Sequence, residues 1–361
     1  MRALRVLSRP ALVLQCCLVA AAVSSCVRQP PAEHRQAGGF DALASPDGHV
    51  ISGRVMDPGK LLPEDARLLL GGKDRGGFAR VPLQVRKDGS FSTPPLRPGT
   101  YVLEVHYPDR PHEQPKVAGF ALVPLASKDV SGVTVLIRPN TAIVGSFRMD
   151  SDDPAAPWPP HIVVQAFLAL EGEDLQAAVM ADGATGGRFV LRNAFGPRVL
   201  RCGYTLAPGA RWWPGRVLLN GVDITDVPTD FSEHDGAELE VWFTRHPSRV
   251  TGVVTDPEGR PVAHAWVLIF PQDAGLRQLW SESRDARQAD ADGKFGFPLL
   301  PGRYALRALP SSTFPNVSAD KMAGWREARQ QMPRYWSSGS ASVALGDRET
   351  RTVTVVCEGC K

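Results

Sequence analysis

Runs in which apolar and polar residues alternate recur along this chain, each short and each bounded by Gly, Pro, Asn or Asp. A period of two places successive side chains on opposite faces of a strand. One block shows the plan most clearly. "VTGVVTD" (250–256) predicts a strand, "PEGRPVAHA" (257–265) a turn with a small-residue crossover, and "WVLIF" (266–270) a buried strand whose Trp266 belongs in the core. "ADADGKFGFPLLPGRYALRAL" (289–309) predicts a hairpin turn at Asp292-Gly293, a strand through Phe295 and Phe297, a turn at Pro301-Gly302 and a strand from Tyr304. "ETRTVTVV" (349–356) closes the block with another alternating strand.

The plan occurs three times. "ISGRVMD" (51–57), "KDGSFSTPPLRPGTYVLEVHY" (87–107) and "VSGVTVLI" (130–137) repeat it in order. Asp88-Gly89-Ser90-Phe91 aligns with Asp292-Gly293-Lys294-Phe295, and Pro98-Gly99-Thr100-Tyr101 with Pro301-Gly302-Arg303-Tyr304. The middle copy is worn. "TAIVGSFRMD" (141–150) opens it, "HIVVQAFLAL" (161–170) follows, "GGRFVLRNAFGPRVLRCGY" (186–204) forms its central pair, and "GAELEVWFT" (236–244) closes it. There Gly186-Gly187 stands in place of Asp-Gly, and Gly196-Pro197 in place of Pro-Gly.

The repeated residues have physical tasks. Asp-Gly supplies the positive φ of a tight hairpin turn. In "YVLEV", Tyr101, Leu103 and Val105 fall on one face of a strand, Val102 and Glu104 on the other. A Tyr after Pro-Gly enters at a sandwich corner, its ring filling the core end and its hydroxyl reaching a backbone group. Gly53, Gly145 and Gly252, inside the opening strands, mark a close backbone approach or a bulge.

These signatures resemble the carboxypeptidase regulatory-like domain, a transthyretin-like β-sandwich related to collagen-adhesin B-type repeats. The resemblance is strong over 50–138 and 249–357 and weaker over 140–245. It implies an all-β chain of three tandem Ig-like or transthyretin-like Greek-key sandwiches, at 48–139, 140–247 and 248–361. In that family such domains are accessory modules of many envelope proteins. B-type repeats often carry an internal isopeptide bond from a lysine in the first strand; "VISGRVMD" and "SRVTGVVTD" have none, so no such bond is expected. One stretch departs from β. "SADKMAGWREARQQMPRYW" (318–336) sets Met322, Trp325, Ala328 or Arg329, and Met332 at helical spacing, with Ser318 as N-cap and Pro333 as terminator. It predicts a short helix in the third sandwich, packed on its own domain.

Composition agrees with many turns: Gly (34) and Pro (32) are abundant and spread along 361 residues rather than confined to one tract. A net charge of +3 without a basic stretch argues against nucleic acid as partner. The start of the chain is a separate matter. Arg2, Arg5 and Arg9 precede an apolar run (10–23) of signal-peptide length. Val23-Ser24-Ser25-Cys26 resembles the lipobox of bacterial lipoproteins, in which the cysteine is acylated and becomes the first mature residue; an ordinary secretory signal is the alternative. Residues 1–25 are thus expected to be a signal peptide and 26–47 a flexible tether. Val27 is not the aspartate associated with inner-membrane retention, which by the same resemblance favours the outer membrane.

Of six cysteines, Cys16 and Cys17 lie in the signal and Cys26 would carry lipid, leaving Cys202, Cys357 and Cys360. "CEGC" brings Cys357 and Cys360 across a turn, compatible with a disulfide clip, with free thiols, or with metal or redox chemistry. No HxxE pair, HExxH, G-x-S-x-G or P-loop occurs, and His106 with Asp109 is weak as a metal pair. Asp290 and Asp292 suggest a turn rather than a calcium loop, because no glutamate follows at EF-hand distance. No cofactor, metal or catalytic residue is expected. Trp212 and Trp213, beside Pro214-Gly215, form either packing at a sandwich edge or a domain junction, or a platform for sugar rings. The expected function is that of a non-catalytic cell-envelope lipoprotein acting as spacer, adhesion or assembly component, with membrane lipid and envelope proteins or polysaccharide as partners. The alternative is a carbohydrate-binding lipoprotein.

Overall fold

The computed structural model describes 43–360 apart from 63–64, 75–76, 107–116, 140, 153–161, 171–175, 181, 186, 205–211, 279, 315–330 and 337–338. Among the described residues six sheets follow one another in three pairs. The first pair holds β1 (Ala44–His49), β2 (Ile51–Met56), β3 (Arg67–Asp74), β4 (Gly77–Leu83), β5 (Ser90–Ser92), β6 (Gly99–His106), β7 (Val117–Leu125) and β8 (Val130–Leu136). Its sheets run β5-β2-β8 and β4-β3-β6-β7. The second pair holds β9 (Ala142–Asp150), β10 (Ile162–Leu168), β11 (Gln176–Met180), β12 (Asp182–Thr185), β13 (Arg188–Arg192), β14 (Arg198–Tyr204), β15 (Trp213–Leu219), β16 (Val222–Asp223) and β17 (Glu238–Thr244). The third holds β18 (Ser248–Thr255), β19 (Trp266–Pro271), β20 (Asp285–Gln288), β21 (Lys294–Leu299), β22 (Gly302–Leu309), β23 (Ala341–Leu345) and β24 (Thr350–Val356), in sheets β21-β18-β24 and β20-β19-β22-β23.

The first and third pairs share one topology. In each, the opening strand lies between the strand after the Asp-Gly hairpin, antiparallel to it, and the closing strand, parallel to it. The alternation predicted from sequence faces these sheets onto each other: Val250, Val254, Phe297 and Val355 of one sheet pack with Val267, Ile269 and Leu306 of the other. Each fully buried aliphatic or aromatic side chain of this kind contributes about 1.5–3 kcal/mol. Both tyrosines after Pro-Gly close a corner. The Tyr101 hydroxyl donates to the Arg97 carbonyl and the Tyr304 hydroxyl to the Leu300 carbonyl, each at 2.8 Å.

The opening-strand glycines have one common explanation. Gly53 is the cross-strand partner of Phe91, Gly145 of Phe189 and Gly252 of Phe295. Each is the Phe that follows the hairpin turn, and its ring lies over the glycine. A Cβ on Gly145 would come within 2.1 Å of the Phe189 ring, and one on Gly252 within 2.6 Å of the Phe295 ring and 2.0 Å of the Val353 carbonyl oxygen. Close approach is what all three positions require, and at Gly53 the pairing of β2 with β8 is also irregular, its register shifting between Ile51 and Gly53.

The second pair departs from the plan. β15, which follows β14 as β7 follows β6, leaves that sheet and pairs with β17 instead. The sheets become β11-β10-β14 and β12-β13-β9-β17-β15-β16. β14 thereby loses a neighbouring strand, and its edge is met by the loop at Thr229, which exchanges backbone hydrogen bonds with Arg198 at 2.8 and 3.0 Å.

Two boundaries differ from expectation. Residues 44–47, assigned to the tether, belong to β1; Leu43 is buried, and both Ala44 and His49 bridge Leu96. The segment lacks alternation because it is held at these few points rather than along a ladder. The helix expected over 318–333 lies largely outside the described residues; its end is a 3-10 turn, Met332–Tyr335, that includes Pro333. Met332 and Phe314 cover the outward face of β19 at Trp266 and Phe270, which leaves β19 buried on both faces.

Gly252→Ala is expected to destabilise the protein by about 2 kcal/mol or more through overpacking. Gly296→Ala, where the nearest atom would be 3.8 Å away, should lie within about 1 kcal/mol of the parent. Urea unfolding of both variants checks this; equal midpoints would contradict the close-approach assignment.

Candidate functional site

Two clusters of buried polar groups lie, among the described residues, where the sheet pairs meet. On β6 the alternation turns Tyr101, Leu103 and Val105 into the first core, yet Val102 and Glu104 on the opposite face are also buried. Val102 and the half-buried Phe78 and Phe120 pack against Leu168 and Leu170, which end β10 and begin the following loop. Gly196, at φ +79°, lets the second pair's turn approach closely: a Cβ there would lie 2.4 Å from the Phe120 ring.

Beside this contact Glu104 meets three cationic or protonatable groups. Its Oε2 accepts from Arg80 Nη2 at 2.6 Å and stands 3.2 Å from His106 Nε2; its Oε1 accepts from Arg198 Nη2 at 3.2 Å. The carboxylate is 2% exposed and the Arg198 side chain 0%. Arg198 also donates through Nε to the Phe195 carbonyl at 2.7 Å and through Nη1 to the Ala166 carbonyl at 3.2 Å. Burial by itself would raise the Glu104 carboxyl; Arg80, His106 and Arg198 outweigh it and hold the group well below the usual carboxylate range.

A second polar cluster joins the second and third pairs. Val199 and Ala169 pack on Trp280. Arg201 Nη2 donates to the Trp280 carbonyl at 2.5 Å and to Asp226 Oδ1 at 2.6 Å. Asp226, at φ +61°, presents Oδ2 to the Ser281 hydroxyl at 2.7 Å, the Glu282 amide at 3.0 Å and the Ser283 amide at 3.3 Å. Further out, Arg348 pairs with Asp150, and the Arg249 guanidinium lies 5.3 Å from the centre of the Trp213 ring. Burial pushes the nearby Cys202 thiol up, away from the reactive thiolate.

The residues singled out from sequence fall elsewhere. Cys26 lies outside the described residues. Cys357 and Cys360 form a disulfide with a Cα–Cα distance of 5.4 Å, and both sulfurs join the third core. Trp212 and Trp213 do not form a shared platform. Trp212 is 2% exposed within the second core, since neighbours along an extended chain turn to opposite sides, and only Trp213 reaches the surface, under Arg249. Asp109 lies outside the described residues, and His106 serves Glu104. Asp290 Oδ1 accepts from the amides of Asp292 and Lys294, which makes it a turn-former.

Two open clefts line the third pair. One, of about 590 Å³, is bounded by Asp273, Leu276, Arg303 and Tyr304, the other, of about 500 Å³, by Arg277, Ala305 and Ser342. Two of their charged groups hold the fold: Asp273 accepts from the Gly275 amide, and Arg277 donates to the carbonyls of Pro271 and Gln272, all at 2.8 Å. Among the described residues no three His, Cys, Asp or Glu side chains gather as a metal site.

No family model and no curated protein matches the chain. Similar solved structures include a streptococcal ancillary pilin at 12% identity, covering 86% of this chain and 99% of that one, with a TM-score of 0.26. BcpA, the major pilin subunit of Bacillus cereus, has 9% identity, covers 86% and 99%, and has a TM-score of 0.23. GBS52, the minor pilin of Streptococcus agalactiae, has 11% identity, covers 60% and 95%, and has a TM-score of 0.25. Likeness at this level carries no argument about function.

Sequence reasoning missed the ionic junctions, although one signal was present: Glu104 is a charge inside the apolar run "YVLEV" with apolar residues on both faces. Because its folded-state carboxyl is held low, Glu104 stabilises the protein fully above its ordinary value of 4.5, and this contribution is lost as pH falls below that point. Glu104→Gln should cost about 3–5 kcal/mol at neutral pH. The gap to the parent should narrow on acidification below pH 4.5 in urea titrations. A pH-independent gap would contradict an ionised, paired Glu104.

Proposed function

We propose that this chain is an exported, non-catalytic lipoprotein of the bacterial cell envelope, acting as a spacer, adhesion or assembly component. Its modules, at 48–139, 140–247 and 248–361, are of the carboxypeptidase regulatory-like type. The observation that supports this reading is the filling of both junctions. Successive sheet pairs are joined by buried apolar and ionic contacts rather than by bare linkers, and 43–361 forms one compact unit. A component that holds other parts at a set separation needs that property, and a chain of freely jointed domains lacks it.

In this reading the lipid on Cys26 anchors the chain and the residues after it serve as the tether. Two or more acyl chains hold stably, because each buried CH₂ contributes about 0.8 kcal/mol and a single chain binds only marginally. Partners are the membrane through that lipid and other envelope proteins through the module surfaces. The outer membrane is the destination where the source has one, on the ground that Val27 is not aspartate. A carbohydrate-binding role loses its main support with Trp212 in the core.

Cys26→Ala is expected to abolish labelling by a fatty-acid probe and to leave an unprocessed precursor or a soluble exported form. Metabolic labelling with mass spectrometry of the mature N-terminus checks this. A mature chain that begins elsewhere and carries no lipid would overturn the anchor and leave a secreted or periplasmic protein.

A further inference from the structure

Strand β14 occupies an unusual position. It has lost the neighbouring strand that the corresponding strands of the other pairs keep, because β15 joins the opposite sheet. Arg198, Val199 and Leu200 are buried nonetheless, with both flanking sheet pairs against this end of the strand. Arg198 points to Glu104 of the first pair, and Val199 and Arg201 meet Trp280 of the third. The loop after β10 is divided in the same way: Leu168 and Leu170 face Val102 of the first pair, while Ala169 between them faces Trp280. The sequence around the turn is altered to suit. Val199 stands where the other copies have the corner tyrosine, and the preceding Arg198 makes the backbone contact to Phe195 that closes the corner. The same side chain then extends beyond its own module to Glu104.

We infer that Glu104 and Arg198 form a conformational latch that makes the first and second sheet pairs open and close as one cooperative unit. Arg198 spends one face of its guanidinium on its own corner, through Phe195 and Ala166, and the remaining Nη2 on Glu104. The corner geometry of the second pair is therefore set by docking on the first. In the other direction, Glu104 keeps one oxygen for Arg198 while Arg80 and His106 share the second. Linkage makes the coupling reciprocal: whatever loosens one side loosens the other by the same factor. The inference deepens the spacer reading by naming what fixes its internal geometry. It is read on the protein itself, so it stands or falls independently of lipidation at Cys26.

Amide hydrogen exchange on the full chain, followed by mass spectrometry of peptides covering 99–106 and 198–204, tests the latch. Removing one partner of a buried pair should raise opening roughly 100- to 1000-fold. Arg198→Met is expected to raise exchange in 99–106 of the first pair, and Glu104→Gln to raise it in 198–204 of the second. In the double variant Glu104→Gln, Arg198→Met the rise should be smaller than the two single effects combined, because Arg80 and His106 lose the carboxylate in either background and only the Glu104–Arg198 contact is shared by the two substitutions. Should either single variant fold poorly, Arg198→Lys, which keeps the charge but loses the forked contact, should give a smaller rise in both segments. Exchange that rises only in the segment carrying the substitution, or a double variant no better than the sum of the singles, would overturn the latch.

Discussion

A carboxylate closed off from water between guanidinium groups of two successive sheet pairs governs how this chain is put together. Glu104 is buried among apolar side chains, where an unpaired charge would be costly. Arg80 from its own sheet and Arg198 from the next pair compensate it. The apolar contacts alongside, Val102 and Phe120 against Leu168 and Leu170, supply non-directional attraction; the charge pair supplies register, because only one seating brings Arg198 onto the second carboxylate oxygen. Buried ion pairs are weak as net stabilisers, and breaking one is costly because a charge is left buried without its partner. The Arg201–Asp226 cluster repeats this logic at the second junction, with the Ser281 hydroxyl and the amides of Glu282 and Ser283 completing the carboxylate's hydrogen bonds.

Within each pair the organising contact is a phenylalanine over a glycine. It recurs at Phe91 on Gly53, Phe189 on Gly145 and Phe295 on Gly252, and it survives in the worn middle copy even where the Asp-Gly turn and the corner tyrosine do not. What the middle copy abandons is the edge. With β15 transferred to the other sheet, β14 and the loop after β10 become surfaces on which both neighbours rest. Its divergence is thus spent on the junctions while its core contact is kept.

The fold was largely legible in the sequence for a local reason. The alternating runs, the Asp-Gly and Pro-Gly turns and the corner tyrosines are short-range signals, and they locate β2, β5, β6 and β8 of the first pair and β18, β19, β21, β22 and β24 of the third, while β3, β4, β7, β20 and β23 lie outside these signatures. The glycines were recognised as special, but only the cross-strand register identifies the ring that each one accommodates. β1 escaped because it is held by isolated bridges to Leu96 and so carries no period. The change of sheet by β15 escaped because "RVLLNG" reads as a strand whichever partner it takes. The junctions are long-range pairings, Glu104 with Arg198 and Arg201 with Trp280, and nothing near either residue names its partner. Glu104 within "YVLEV" was the nearest thing to a sign. Trp212 and Trp213 show the converse: two adjacent aromatics invite a platform reading, and extended backbone sends them to opposite sides.

With both junctions filled, the sheet pairs should hold a fixed arrangement rather than move on linkers. Pulsed electron paramagnetic resonance measures this, with spin labels at cysteines introduced for the exposed Lys128 of the first pair and Glu258 of the third, in a chain whose Cys16, Cys17, Cys26 and Cys202 are replaced by alanine. A single narrow distance distribution is expected, broadening when Arg198→Met is added. A broad distribution in the parent, unchanged by that substitution, would contradict it.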